Sequence, residues 1–147
     1  MKRFAIIVGL IFSCFMIQAS TARAQIGWTL DQCKKWLGEG TTSDNIIYQF
    51  AAPPKSDYII TVEMRNGVVE SAQYDRQYDP AHVTEKDAYD ILVENSNGYI
   101  WTKTGEKGSG YGKVTYFSAH IDGKIGMTAI LRKGQLGIFA ADYVSHY

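Results

Sequence analysis

The sequence predicts an α+β domain in which an antiparallel sheet carries two short helices packed on one face. Two segments begin with a helix-capping signal and continue with an apolar stripe at helical spacing. Most of the remaining chain alternates apolar and polar residues, and tight-turn dipeptides separate these stretches. Short strands joined by tight turns pair in antiparallel order, and a helix with one apolar stripe packs that stripe on a sheet.

The first helix is predicted to follow Thr29. Thr29 is a favourable N-cap, and Gln32 can bond back to the backbone of the cap, which completes a capping box. Gly38 is suited to end the helix. The apolar stripe between these signals consists of Leu30, Cys33, Trp36 and Leu37.

Three strands are expected next. Residues 45–51 have a strand-like composition that Pro53-Pro54 ends, and a hairpin follows with Asn66-Gly67 as its turn. Its strands are predicted from Tyr58 to Arg65 and from Val68 to Tyr74.

The register of this hairpin follows from charge. A two-residue loop would place Glu63 opposite Glu70, and like charges in that arrangement destabilise a sheet. We therefore expect a three-residue loop with Gly67 in a bulge. The expected pairs are Met64 with Val68, Ile60 with Ala72 and Tyr58 with Tyr74.

The second helix is predicted to begin at Thr84, with Asp87 at the reciprocal capping position, and to end at Asn97 or Gly98. Four apolar stretches follow, and Asp122-Gly123 and Lys133-Gly134 are turn signals, so the later stretches form an antiparallel meander. The predicted strands are Tyr99–Lys103, Lys113–Ile121, Lys124–Arg132 and Gln135–Ala141.

This order leaves two interpretations of the domain. The chain contains either a duplicated helix-and-meander unit, with repeats at 25–80 and 81–147, or one undivided domain. Both interpretations give the same fold class.

Residues 1–24 have the pattern of a secretory signal peptide. Lys2 and Arg3 precede an apolar run, and Ala22-Arg23-Ala24 is a small-x-small cleavage motif before Gln25. We therefore predict a mature single domain, 25–147, that is exported to the periplasm or secreted and has no transmembrane span. The alternative is a lipoprotein anchored at Cys14, because Ile11-Phe12-Ser13-Cys14 resembles a lipobox.

The composition argues against a nucleic-acid partner and against an intramolecular disulfide. After removal of the leader, 12 Lys and Arg face 15 Asp and Glu, a formal charge of −3, and no basic cluster appears. We therefore expect no nucleic-acid binding. Cys33 is the one cysteine of the mature chain, so no intramolecular disulfide can form.

The sequence offers little catalytic chemistry. His82, His120 and His146 have no zinc-type spacing, so we predict no metal and no cofactor. Cys33, His120 and Asp122 provide the residue types of a nucleophile, a base and an orienting group, which is the basis of a hydrolase alternative. The glycine-rich stretch 105–113 matches no phosphate-binding motif and is interpreted as a flexible binding loop.

Aromatic residues are the candidate binding residues. The chain has 10 Tyr and 3 Trp, which either pack the sheet or anchor an interface. We expect a binding face on the side of the sheet away from the helices, near Trp101, Tyr111 and Tyr116.

The segment from Thr29 to Gly38, with Cys33, Trp36 and Leu37 inside it, and the hairpin that follows resemble known helix-then-meander units. These are the β-lactamase-inhibitor-protein-like and the outer-membrane lipoprotein SmpA/OmlA-like families. The chain differs from them in having Gly40 where a proline is expected, a poor lipobox and no paired cysteines. The resemblance implies an envelope or secreted protein that binds another protein.

We therefore predict a non-catalytic protein-binding module, inhibitor-like or envelope-assembly-like, whose partner is another exported or envelope protein. The alternatives are a carrier that holds a small ligand between helix and sheet and a hydrolase.

Overall fold

The computed structural model describes residues 26–50, 58–76, 83–96 and 98–143. The predicted signal peptide, Cys14, Pro53-Pro54, His82 and His146 lie outside the described residues, as does Asn97. Within the described residues the chain forms two α-helices, eight β-strands and a short 3₁₀ turn at Gly110–Gly112. Their bounds are α1 Leu30–Leu37, β1 Thr41–Thr42, β2 Ile47–Phe50, β3 Tyr58–Arg65, β4 Val68–Arg76, α2 Glu85–Glu94, β5 Ile100–Lys107, β6 Val114–Ile121, β7 Lys124–Arg132 and β8 Gln135–Ala140.

Both predicted capping boxes form. The backbone N–H of Thr29 donates to Gln32 Oε1, and that of Thr84 donates to Asp87 Oδ2, each at 2.9 Å. Helix α2 ends earlier than predicted, because Asn95 caps it with its own side chain, whose Nδ2 donates to the Ile91 carbonyl at 2.8 Å. Local side-chain chemistry therefore sets both helix starts and the end of α2.

The eight strands form one antiparallel sheet in the order β1-β2-β3-β4-β8-β7-β6-β5. The predicted α+β class and antiparallel sheet are confirmed. The two-residue strand β1 was not predicted, so four strands follow α1 instead of three. Each helix is thus followed by a four-stranded meander, and the last strands of the two meanders, β4 and β8, pair at the centre. This repeated order supports the duplicated unit, which stays a prediction.

The predicted register of the β3–β4 hairpin is wrong. Asn66 and Gly67 form a two-residue turn in which both residues have positive φ, 52° and 80°, because Asn-Gly strongly favours that turn. The bulge lies on β4 instead, next to Glu70, so that Glu63 lies opposite Ser71. The observed pairs include Ile60 with Tyr74, Val62 with Ala72 and Tyr58 with Arg76.

The core lies between the helices and one face of the sheet, which we call the helix face. Cys33 and Leu37 of α1 and Ala88 and Leu92 of α2 are buried in one cluster with the inward side chains of the strands. The largest of these inward side chains are Phe50, Ile60, Tyr74, Phe117, Leu136 and Ile138. Among the described residues, neither helix has the length and apolar composition needed to cross a bilayer.

Candidate interaction face

We call the face of the sheet opposite the helices the open face. It carries two adjacent rows of paired residues. One row crosses all eight strands and consists of Thr41, Gln49, Thr61, Gln73, Gly137, Ile130, Tyr116 and Gly105. The neighbouring row consists of Ile47, Glu63, Ser71, Phe139, Thr128, Ser118 and Thr102.

The assignment of these rows to the open face rests on strand alternation. Phe117 is 1% exposed and contacts the ring of Tyr89 on α2 edge-on, with 5.2 Å between ring centroids. Tyr116 is its neighbour on β6 and therefore points away from the helices, where it is 37% exposed. Each row consists of the residues that pair, strand by strand, with one such outward residue.

Charge is nearly absent from the two rows. Glu63 is the one ionisable carboxylate or cation in the two rows. It accepts a hydrogen bond of 2.7 Å from the Tyr143 hydroxyl and lies 3.9 Å from the Arg65 guanidinium, so its charge is already compensated. The rest of the two rows consists of hydroxyl, amide, glycine and apolar groups, and this low charge is a feature that the rows share with the centre of a protein interface.

A groove of about 380 Å³ runs over β4, β8 and β7 on this face. Gly137 and Phe139 both line it, and the tip of the Phe139 ring lies over the glycine backbone, because a Cβ built at Gly137 would lie 2.7 Å from Phe139 Cζ. Phe139 stacks on Tyr143 with ring centroids 5.1 Å apart. The other residues that line the groove are Gln73, Ile130, Arg132, Lys133 and Gln135.

One end of the groove is cationic. Arg132 and Lys133 form no ion pair with any carboxylate among the described residues. Lys107 lies in the same row as Arg132, since Lys107 on β5 pairs with Val114 on β6, and Val114 pairs with Arg132 on β7. Positive charge therefore borders the rows at the β5–β7 part of the sheet, and no carboxylate among the described residues pairs with Arg132 or Lys133.

A second depression of about 440 Å³ lies at the other edge of the open face. It is bordered by hydroxyls and amides of the first three strands and contains no charged group. Its lining residues are Thr41, Thr42, Ser43, Ile47, Gln49 and Thr61.

A third cleft, of about 360 Å³, lies on the helix side where Tyr111, Lys113 and Lys133 approach the start of α2. Lys113 belongs there to a network of two lysines and two glutamates, the others being Lys103, Glu85 and Glu106.

The network of this cleft is compensated internally. The hydrogen bond of 2.6 Å from Lys103 lowers the pKa of Glu85, and the hydrogen bond to Glu106 raises the pKa of Lys113. All four groups are therefore charged at neutral pH, and their charges cancel. The cleft consequently has no net charge from these four groups with which to attract an ion.

The three aromatic residues predicted for the binding face do not lie together. Tyr116 is on the open face, as expected. Trp101 is on the helix face, because it pairs with Ala119 and packs against the core cluster, and its placement on the binding side was wrong. Tyr111 lies in the 3₁₀ turn and lines the cleft on the helix side. The identity of each aromatic residue could not reveal its face, since that depends on strand register.

The residues of the hydrolase alternative are not brought together. Cys33 is buried under α1 on the helix face, and burial raises the pKa of its thiol to about 11, so the thiol is protonated at neutral pH. His120 pairs with Ile100 and Ile125 and points to the opposite face of the sheet. The Cys33, His120 and Asp122 constellation is therefore not formed. In the ranges that the structure describes, no group of His, Cys, Asp and Glu side chains could hold a metal ion.

The threonine and glutamine rows were not predicted from the sequence. Their signal was present, because the outward positions of β2, β3 and β4 carry Gln49, Thr61 and Gln73 in place of the lysines and glutamates expected on a solvated face. Recognising them required the register that aligns the three residues across neighbouring strands.

Comparisons with protein-family models, with curated proteins and with solved structures found no match. The resemblance to the β-lactamase-inhibitor-protein-like and SmpA/OmlA-like families stays a prediction.

Proposed function

We propose that this chain is a non-catalytic, exported protein-binding module that recognises another exported or envelope protein through the open face of its sheet. The observation that carries this proposal is the pair of nearly charge-free rows that cross the sheet, with Glu63 as their one charged group. About a quarter to a third of the residues on a surface that only meets water are charged, so one charged group in two rows is low.

The chemistry of the rows suits recognition of a folded surface. Tyr116 and Phe139 supply large, stiff contact area, and the threonine and glutamine side chains supply hydrogen-bond donors and acceptors on both sides of them. Except at the edge strands β1 and β5, these side chains project from strands that are paired on both sides, so few backbone degrees of freedom need to be lost on binding. Every strand contributes one position to the first row, and every strand except β1 contributes one position to the second.

The charged residues lie around the rows. Arg65 and Glu70 form an ion pair of 3.2 Å beside the bulge of β4, and Arg132 and Lys133 border the opposite end. An uncharged centre with a charged border is the usual arrangement of a protein interface.

The ligand-carrier alternative finds less support. It requires an enclosed apolar cavity between helix and sheet. The three clefts described above open to solvent, and in the described part of the chain a core cluster packs between the helices and the strands.

Site-specific photo-cross-linking in the producing cells tests the proposal. A photoreactive phenylalanine analogue is placed at Thr61 or at Tyr116 on the open face and, as a matched control, at Val93, which is 66% exposed on α2. Discrete protein adducts from both open-face positions and none from Val93 are expected. Adducts from Val93 alone, or from no position, would contradict the proposal. Preserved circular dichroism of each variant confirms that the fold is intact.

The export part of the proposal has a separate test. The intact mass of the exported protein should correspond to a chain that begins at Gln25. A diacylated species that begins at Cys14 would show instead that the protein is an anchored lipoprotein.

A further inference from the structure

We infer that the groove over Gly137 is the anchor point of the interface and that it accepts an acidic segment of the partner protein. An aromatic or aliphatic side chain of that segment packs against Phe139 and Ile130, and a neighbouring carboxylate pairs with Arg132 and Lys133. The inference rests on the proposed function, which it deepens by stating the chemistry of the partner.

The shape of the groove selects a projecting side chain. The missing side chain at Gly137 makes room for the tip of the Phe139 ring, and the groove lies beside that ring, lined by Ile130 on β7 and Gln73 on β4, the two residues that pair with the glycine. Phe139 forms one wall, and its ring is held by the stack on Tyr143. A concave site with an apolar wall at the centre of an otherwise even surface is where binding energy concentrates in protein interfaces.

The charge around the groove selects an acidic partner. Within the described part of the chain, most basic side chains are used internally: Arg65, Lys103 and Lys113 each contact a glutamate. Arg132 and Lys133 differ, since both line the groove and neither pairs with a carboxylate there. An incoming carboxylate would gain two charge-assisted contacts without breaking an existing ion pair.

The end of the groove at β4 determines the direction in which the partner's acidic segment binds. Gln73 Nε2 donates a hydrogen bond of 2.8 Å to Asp75 Oδ2 on β4, so a carboxylate borders that end. A partner carboxylate placed there would be repelled, whereas the same group beside β7 would be attracted. The segment is therefore oriented with its acidic residue towards Arg132.

A second copy of the chain fits this groove poorly. In a twofold dimer centred on the groove, the groove residues of one copy meet groove residues of the other. The residues that line the groove include no Asp or Glu, so a second copy would offer Arg132 and Lys133 no carboxylate from its own groove.

The first experiment selects ligands from a displayed random-peptide library on the purified exported protein. Enriched peptides are expected to contain Asp or Glu close to an aromatic residue or leucine. Their affinity should fall about tenfold or more in Arg132→Ala/Lys133→Ala. It should change less than about twofold in Lys124→Ala, a matched exposed lysine at the far end of β7. Enrichment of peptides without acidic residues, no enrichment, or equal binding to the double variant would overturn the inference.

Two further measurements separate the alternatives. Full displacement of the peptides by millimolar inorganic phosphate would show a small-anion site and overturn the inference. Concentration-dependent dimerisation in analytical ultracentrifugation that Arg132→Ala/Lys133→Ala abolishes would show that a second copy occupies the groove and would also overturn it.

The cross-linking assay distinguishes this inference from the proposed function. Adducts at Thr61 that persist in Arg132→Ala/Lys133→Ala would overturn the groove as anchor while the proposed function stands. Adducts that disappear in the double variant and persist in Lys124→Ala support both. Absence of adducts in the otherwise unchanged protein would contradict the proposed function itself.

Discussion

The hydroxyl of Tyr74 donates a hydrogen bond of 3.2 Å to Asn95 Oδ1, and both residues are buried. Tyr74 is on β4 in the first half of the chain, and Asn95 caps α2 in the second half. Asn95 Nδ2 in turn donates to the Ile91 carbonyl. One amide thus joins the end of α2 to the central strand of the sheet, and both of its polar atoms are satisfied inside the core.

We predict that Tyr74→Phe lowers the free energy of unfolding by about 1–2 kcal/mol, because Asn95 Oδ1 loses the hydroxyl donor in a place that water does not reach. Urea unfolding followed by tryptophan fluorescence measures the change. Tyr116→Phe is the control, since its hydroxyl is on the open face, and its effect should stay within about 0.5 kcal/mol. Equal effects of the two substitutions would contradict the structural role of the Tyr74–Asn95 bond.

The bulge of β4 gives a second prediction. It keeps Glu63 and Glu70 from direct opposition, and Arg65 lies between the two carboxylates, 3.2 Å from Glu70 and 3.9 Å from Glu63. Arg65→Met should lower the free energy of unfolding by about 1 kcal/mol, because two partly buried carboxylates then repel each other without a cation.

The rescue variant makes this prediction specific. Adding Glu70→Gln to Arg65→Met removes the repulsion and should restore most of the lost stability, and 0.5 M salt should reduce the loss in the single variant. Failure of Glu70→Gln to restore stability would show that Arg65 acts through packing, for instance through its contact with the Tyr143 ring at 5.9 Å.

These features show which parts of the structure the sequence could predict. Thr29 with Gln32, and Thr84 with Asp87, act within one helical turn, and Asn66-Gly67 acts within one hairpin, so local chemistry predicts them. The charge conflict at Glu63 was visible as well. Its solution was not, because a bulge at Glu70 competes energetically with a longer turn, and the packing of the whole strand decides between them.

The candidate interaction face depended on information of longer range. Strand β4 pairs with β8, and Ser71 lies opposite Phe139, 68 positions apart in the sequence numbering. No local pattern specifies that pairing. The two rows could therefore be identified only from the structure, because the sequence shows the residues but not which of them align across the strands.

Asp44 predicts a dependence of stability on pH. Its Oδ1 accepts hydrogen bonds from the backbone N–H groups of Ile47 and Ile46, at 2.8 and 2.9 Å, and these bonds hold the pKa of Asp44 below its ordinary value of 3.8. A carboxyl whose pKa is lower in the folded state contributes stability above its unfolded pKa and loses it as the pH falls through the folded pKa.

The test compares the unchanged protein with Asp44→Ala. The variant should be less stable at pH 7, and the difference should shrink below about pH 4 as the carboxylate of the unchanged protein becomes protonated. Urea unfolding at pH 7, 4 and 2.5 measures both. A difference that is independent of pH would show that the loop conformation, and not the charged acceptor, provides the stability.

Trp101 is predicted to stabilise the fold and not to contact a partner. It packs against the core cluster, yet its buried Nε1 has no hydrogen-bond partner among the residues that the structure describes. Trp101→Phe keeps most of the apolar contact and removes the unsatisfied N–H, so it should change the free energy of unfolding by less than about 1 kcal/mol. Trp101→Ala should cost about 3 kcal/mol through lost packing. Loss of cross-linking at Thr61 in a stably folded Trp101→Phe variant would contradict this assignment.

The effect of Gly137→Ala on the free energy of unfolding should depend on whether Phe139 is present. An alanine in a strand is ordinarily favoured over glycine by about 0.5–1 kcal/mol. At position 137, however, the new Cβ would lie 2.7 Å from the Phe139 ring, which must leave its place over the backbone. Gly137→Ala alone should therefore destabilise the fold by about 1–2 kcal/mol.

Removing the ring should reverse that effect. In a Phe139→Ala background, Gly137→Ala meets no aromatic ring and should stabilise the fold by about 0.5–1 kcal/mol, the ordinary gain of alanine over glycine. A double-mutant cycle with urea unfolding measures the coupling. If Gly137→Ala has the same effect in both backgrounds, the ring does not lie over the glycine and the groove loses its wall. If the sign reverses, the glycine is what lets Phe139 lie flat and leaves the groove open to a partner.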